Sequence, residues 1–151
     1  MMVRLFGGCL SIAFLLTAAS LVAAADQTAA LSNSVADQKP YVVKDGMTDQ
    51  NTYNGWRRYS DSCLRCHGPD GSGSSYAPDL TNSLKTMSED TFKATVMGGR
   101  INVGQANQNV MPMFSNVEDV AMYIDDIYGY LKARSDGVLG RGRPDRINDK
   151  P

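Results

Sequence analysis

Cys63, Cys66 and His67 stand together as Cys63-Leu64-Arg65-Cys66-His67, two thiols two residues apart with an imidazole directly after the second. Thiols at that spacing can add to the two vinyl groups of a single porphyrin, and the imidazole that follows is then held beneath its iron. The spacing points to one covalently attached haem c per chain. Two other chemistries of neighbouring thiols fit less well. A thioredoxin-like dithiol expects a βαβ setting and no obligatory histidine, whereas this segment runs on into a glycine-rich stretch. Structural zinc wants four ligands; the motif offers three, the chain has no other His, and its third Cys, Cys9, lies in the N-terminal leader.

The solitary His67 excludes a Ser-His-Asp triad, a second haem of the same kind and bis-His ligation, so any sixth ligand must be something other than imidazole. A thioether is the usual choice in an electron carrier, where Met/His ligation raises the reduction potential. Of the eight methionines, Met1 and Met2 belong to the leader, Met47 precedes the first expected helix, Met87 and Met97 flank the second, and Met122 sits on the third. Met111 and Met113 alone fall in a loop. Methionines are commonly core fillers, and the residues by themselves leave both candidates open.

The elements that must position these groups are mostly helical. From Thr52, the spacing of Asn54, Gly55, Trp56, Tyr59 and Cys63 suits a short helix, capped by Asp49 or Asn51, that delivers its end into the thiol motif. Gly68-Pro69-Asp70-Gly71-Ser72-Gly73-Ser74-Ser75 cannot propagate a helix and reads as a loop. A second helix is expected from Ser88, with Glu89 and Asp90 in its first turn, Phe92 and Val96 on its apolar side and a stop at Gly98-Gly99. Residues 100–116 show no period and read as a second loop around Met111 and Met113. Val120, Ile124, Ile127 and Leu131 recur at steps of four, three and four, predicting an amphipathic helix over 117–133. No internal repeat and no sustained β-alternation is present, so the expected fold is mainly α.

Composition sets the outer bounds. With 151 residues and 42% hydrophobic content the chain suits one modest domain. Arg4, the apolar stretch Leu5 to Val22 and Ala23-Ala24-Ala25 read as an export signal cleaved near Ala25; Gly7, Gly8, Ser11, Thr17 and Ser20 weaken it as a membrane span. Residues 1–25 are therefore set aside, 26–49 read as a loose N-terminal extension, 50–134 as the haem domain, and 135–151 as a glycine-rich tail lying along the surface. Attachment to a membrane would come only through an uncleaved signal. The formal net charge of −1 becomes more negative once Arg4 is removed, which argues against nucleic acid as a partner. Arg141, Arg143 and Arg146, or Asp125 and Asp126, are the candidate charges for docking a protein.

The pattern Cys63-x-x-Cys66-His67-Gly68-x-x-Gly71-x-Gly73, then Pro78 and Leu80, then Met111-Pro112-x-Phe114, resembles the class I cytochromes c. The resemblance implies a mainly α fold of three to four short helices wrapped around one covalently bound haem. It implies Met111 as the axial ligand opposite His67, with Met113 in reserve and Phe114 as a packing residue. The carbonyl of Pro78 would accept the Nδ1–H of His67, Leu80 would pack on the porphyrin, and Gly55 and Tyr59 would cross the C-terminal helix near Ile127, Tyr128 or Leu131.

Two further runs, Tyr53-Asn54-Gly55-Trp56-Arg57-Arg58-Tyr59 and Tyr130 to Pro144, are similar to the cytochrome cL branch. That likeness implies a monomeric periplasmic electron carrier, not an enzyme. Its electrons would come from a PQQ-dependent methanol or related alcohol dehydrogenase, calcium- or lanthanide-dependent, and pass to a downstream cytochrome or oxidase. The competing readings are a haem enzyme or gas sensor with an open sixth position, and a cytochrome subunit of another dehydrogenase or oxidase complex.

Overall fold

The computed structural model describes residues 38–103 and 108–147; the leader and residues 26–37 of the extension lie outside them. In chain order the elements are β1 (Val43–Lys44), β2 (Met47–Thr48), α1 (Gln50–Ser62), α2 (Leu64–His67), a 3-10 turn (Pro69–Gly71), α3 (Leu80–Ser83), α4 (Glu89–Gly98), β3 (Arg100–Val103), β4 (Gln108–Met111), α5 (Glu118–Met122), α6 (Ile124–Ser135) and β5 (Asp145–Arg146). The mainly α expectation holds.

Helix α1 starts where Asp49 accepts the Thr52 amide at 3.1 Å, satisfying an amide that a helix start otherwise leaves unpaired. It buries Tyr53, Gly55 and Tyr59, and its main partner is α6. The two helices pass so closely that a Cβ on Gly55 would stand 1.9 Å from the Asp126 carbonyl oxygen and 3.0 Å from Tyr130 Cβ. The crossing expected near Ile127, Tyr128 or Leu131 thus centres on the adjacent Asp126 and Tyr130. Asn54 donates to the Asp126 carboxylate at 2.7 Å and fixes the register. Tyr59 and Tyr130, both fully buried, stack at 5.6 Å and join Ile127 and Leu131 in the core. Helix α4 is as read: Ser88 caps it from Thr91 at 3.2 Å, and Phe92 and Val96 are buried.

Four features differ from the sequence reading. The helix expected over 117–133 is two helices, interrupted at Tyr123 (φ −114°, ψ 26°). Its apolar stripe stays in register across the break, with Val120, Ile124, Ile127 and Leu131 all buried, so periodicity could not reveal it. Tyr123 lies under the Arg58 guanidinium at 4.6 Å, and Asp119 pairs with the same group at 2.8 Å. Secondly, 100–116 is not all loop: β3 and β4 pair antiparallel, Arg100 opposite Met111 and Ile101 opposite Val110. Ile101 and Val110 are both exposed, so no inward apolar alternation marks the hairpin.

Thirdly, residues 41–48 are not loose. β1 and β2 form a hairpin whose turn, Asp45-Gly46, has φ of +52° and +77°, the two-residue geometry that Asp-Gly favours. Finally, the tail is more than a surface strand. β5 pairs parallel with β2, Thr48 is fully buried and donates to the Asp145 carbonyl at 3.2 Å, and Leu139 is in the core.

The end of α6 is locked to the N-terminal arm through Asp136, which accepts from Tyr41 at 2.7 Å, from Lys39 at 3.1 Å and from Lys132. Burial pushes its carboxyl up, but the three donors outweigh that and hold it down at about 2. A carboxyl lowered by folding contributes stability that is complete above its unfolded pKa of about 4 and is lost as pH falls toward 2. Asp136→Asn is expected to cost on the order of 1 kcal/mol at pH 7 once solvent screening is allowed for. In urea titrations the gap between the two proteins should narrow below about pH 4 and close only as pH falls through 2.

Candidate functional site

The thiol motif sits at the end of α1 and is held there by main-chain bonds. The Cys63 amide donates to Tyr59 O at 2.8 Å, and the His67 amide to Cys63 O at 3.0 Å, closing the single turn of α2. The loop that follows folds back on the motif. Gly73 N donates to His67 O at 2.7 Å, Ser74 Oγ to Cys66 O, and the buried Tyr59 hydroxyl to Gly68 O at 2.5 Å. α1, the motif and the loop thus form one hydrogen-bonded unit.

His67 is buried, and its Nδ1 lies 3.0 Å from the Pro78 carbonyl oxygen. With Nδ1–H donating there, the ring is fixed in orientation and tautomer, and Nε2 presents its lone pair. Pro78 is itself exposed; its carbonyl is aimed because Asp79, the next residue, caps α3 through the Asn82 amide at 3.0 Å. Leu80 opens α3 and packs, half-buried, against the core.

The two candidate thioethers part company. Met111, the last residue of β4, is half-buried against the core, whereas Met113 is 55% exposed. Gly99 sets this placement. It ends α4 with φ +71°, and a Cβ there would stand 2.7 Å from Met111 O and 2.8 Å from Met113 N. Phe114 packs on the core and donates its amide to Val96 O at 3.1 Å. The Met-Pro-x-Phe run is therefore pinned to α4 at both ends.

Cys63 and Cys66 are free thiols, the first half-buried and the second exposed. Burial pushes the Cys63 thiol up to about 12, and Cys66 adds in the same direction. Two thiols, an imidazole with its Nε2 available and a half-buried thioether form a donor set that fits haem c. Leu80, Met87, Met97, Met111 and Phe114 pack on the core yet stay partly exposed, leaving apolar surface for a porphyrin to cover.

The charged candidates also find their places. Arg141 Nε lies 3.3 Å from Asp70 Oδ2, and Gly142 N donates to Asp70 Oδ1 at 2.9 Å. Arg143 lies over Tyr53 and Trp56, and Arg146 over Tyr53. Asp125 is paired with Lys93 and Asp126 with Asn54, so that acidic pair is largely engaged within the fold. Asp70 and Gly99 escaped the sequence reading as site residues. The Gly98-Gly99 stop was legible as a helix end, but nothing local shows that Met111 stacks against it.

Comparison with known proteins places this arrangement. The model of the family described as cytochrome c oxidase, cbb3-type, subunit III matches residues 50–131. Cytochrome c-553I of Paracoccus denitrificans is 47% identical over 109 residues, covering 72% of this chain and 48% of that protein. The chain spans about half the length of that relative. Cytochrome c-555 of Methylococcus capsulatus is 46% identical over 95 residues, covering 62% of this chain and 71% of that protein. Among solved structures, the c-type cytochrome XoxG from Methylobacterium extorquens AM1 aligns with a TM-score of 0.60 at 41% identity, covering 76% of this chain and 77% of that one. Among the described residues no helix is long and apolar enough to cross a membrane.

Proposed function

Because the chain belongs to the class I c-type cytochromes, haem c proteins that carry electrons and are not enzymes, we propose that it shuttles single electrons from a quinoprotein alcohol dehydrogenase in the periplasm. Haem c supplies a one-electron ferric/ferrous couple. The roles of the protein groups follow from their chemistry. Cys63 and Cys66 would hold the haem through thioethers, and His67 Nε2 and the Met111 thioether would hold its iron, with Met113 in reserve. Pro78 O would fix the imidazole through its Nδ1–H, and Leu80 would pack on the porphyrin. The observation that carries this reading is the buried His67 ring, tied at Nδ1 to Pro78 O and placed directly after two free thiols.

The donor assignment rests on the likeness to cytochrome cL in two separate runs. The fold supports treating them as one feature, since Arg143 of the second run lies 5.6 Å from the Tyr53 ring and 5.7 Å from the Trp56 ring of the first. In this reading the chain is exported, its signal is removed near Ala25, one haem is attached per monomer, and a downstream cytochrome or oxidase takes the electron. The donor is a methanol dehydrogenase, calcium- or lanthanide-dependent, or a related PQQ enzyme.

Stopped-flow mixing of the oxidised holoprotein with reduced methanol dehydrogenase tests the assignment. Haem reduction is expected with second-order kinetics that slow as salt is added, as for a brief complex steered by charge. No reduction by either the calcium or the lanthanide enzyme would remove the donor from the proposal and leave the electron-carrier fold untouched.

A further inference from the structure

A cleft of about 470 Å³ opens between α1 and the tail, lined by Tyr53, Trp56, Arg57, Asp61, Arg143 and Arg146. Its charge runs against that of the whole chain, which carries 16 acidic residues to 15 basic ones. Three guanidiniums meet there, with Asp61 as the one acid among the lining residues.

Arg57 and Arg143 differ from the cations that pair within the fold. Lys39, Arg58, Lys93, Lys132 and Arg141 each lie within ion-pair distance of a carboxylate. Among the described residues no such partner stands by Arg57 or Arg143. Arg143 is instead held over the rings of Tyr53 and Trp56 at 5.6 and 5.7 Å, and Arg146 over Tyr53 at 5.0 Å while it also donates to Gln50. A guanidinium lying over an aromatic face keeps its in-plane N–H donors for a carboxylate and loses little freedom on binding one. Arg143 is thus ordered before any anion arrives.

We infer that this cleft docks an acidic segment of the protein that exchanges electrons with the haem. The inference rests on the electron-carrier reading above. A protein segment fits better than an enclosed anion, because the donors are spread over a helix and a tail on a surface where Arg57, Asp61 and Arg143 are exposed. The cleft also lies on the path to the redox centre. Asp61 follows Arg57 by one turn near the end of α1, and the motif begins two residues later at Cys63. A partner anchored on the arginines would lie on the helix that leads into the motif.

Trp56 is the only tryptophan in the chain, so its indole N–H resonance reports on the cleft without ambiguity. Reduced holoprotein is titrated with hexaglutamate, hexalysine or inorganic phosphate, alongside the double variant Arg57→Gln/Arg143→Gln. Hexaglutamate should shift the Trp56 signal saturably and salt-sensitively, hexalysine should not, and the variant should bind about tenfold more weakly. The variant should also be reduced about tenfold more slowly by the dehydrogenase at low salt, with its reduction by ascorbate and its potential unchanged. The inference is overturned if hexaglutamate leaves Trp56 unmoved, if the variant binds it equally well, or if phosphate alone saturates the site as tightly. Should the dehydrogenase fail to reduce the wild type, the donor assignment falls and the peptide titration still decides the cleft.

Discussion

Met111→Ala is expected to lose the red thioether-to-iron charge-transfer band of the oxidised protein, to bind CO readily when reduced, and to show a lower reduction potential. The sign follows from the thioether, which favours ferrous iron over the water or hydroxide that would replace it. The magnitude should be roughly 0.1–0.2 V, a part of the about 0.8 V that axial ligation spans across haem proteins. Met113→Ala, altering a side chain that is already 55% exposed, should leave the band and the potential in place. Electronic spectra and a redox titration of the two variants decide between the thioethers. Retention of the band in Met111→Ala with its loss in Met113→Ala would reverse the assignment.

How well the site can be read from sequence depends on how local its causes are. Cys63, Cys66 and His67 are legible because the chemistry is written in five consecutive residues. What separates Met111 from Met113 is not, since the half-burial of one and the exposure of the other come from tertiary packing, including the close approach of Gly99, twelve positions earlier, to their backbone. The bond from His67 to Pro78 came from family likeness, and the residues explain it only once the Asp79 cap is seen. The order of the tail is hidden in the sequence for a related reason. Its order comes from main-chain pairing of Met47 with Asp145 and Thr48 with Arg146 across almost the whole domain, and backbone bonds leave no apolar pattern. Asp45-Gly46 is itself a hairpin-turn pair, but the two-residue strands beside it are too short to show a pattern.

Gly55→Ala is the substitution with the greatest expected effect on stability. The added carbon would stand 1.9 Å from Asp126 O and 2.5 Å from Asp126 C. These are backbone atoms, so no rotamer change relieves the clash and α6 itself must move. The shift would strain the Asn54–Asp126 bond and the Tyr59–Tyr130 contact together. A cost of about 3 kcal/mol, the upper end for overpacking, is expected. Denaturant titration of the holoprotein should show a lower midpoint at nearly unchanged slope. A change below roughly 0.5 kcal/mol, the scale of an ordinary surface substitution, would mean that the helices do not cross at this glycine.

The clasp at Asp70 bears on how the molecule comes apart. Asp70 holds a left-handed backbone (φ +60°) three residues beyond His67, and its buried carboxylate takes both the Gly142 amide and Arg141. Arg134 adds a bond to Leu139 O, tying the same stretch to α6. A tail of this composition, left to itself, would be among the first segments to fray. Joined in this way, it shares an opening free energy with the iron-side loop instead. Its amides should therefore exchange with solvent in step with those of residues 68–73, making tail protection a remote gauge of whether the loop around His67 is closed.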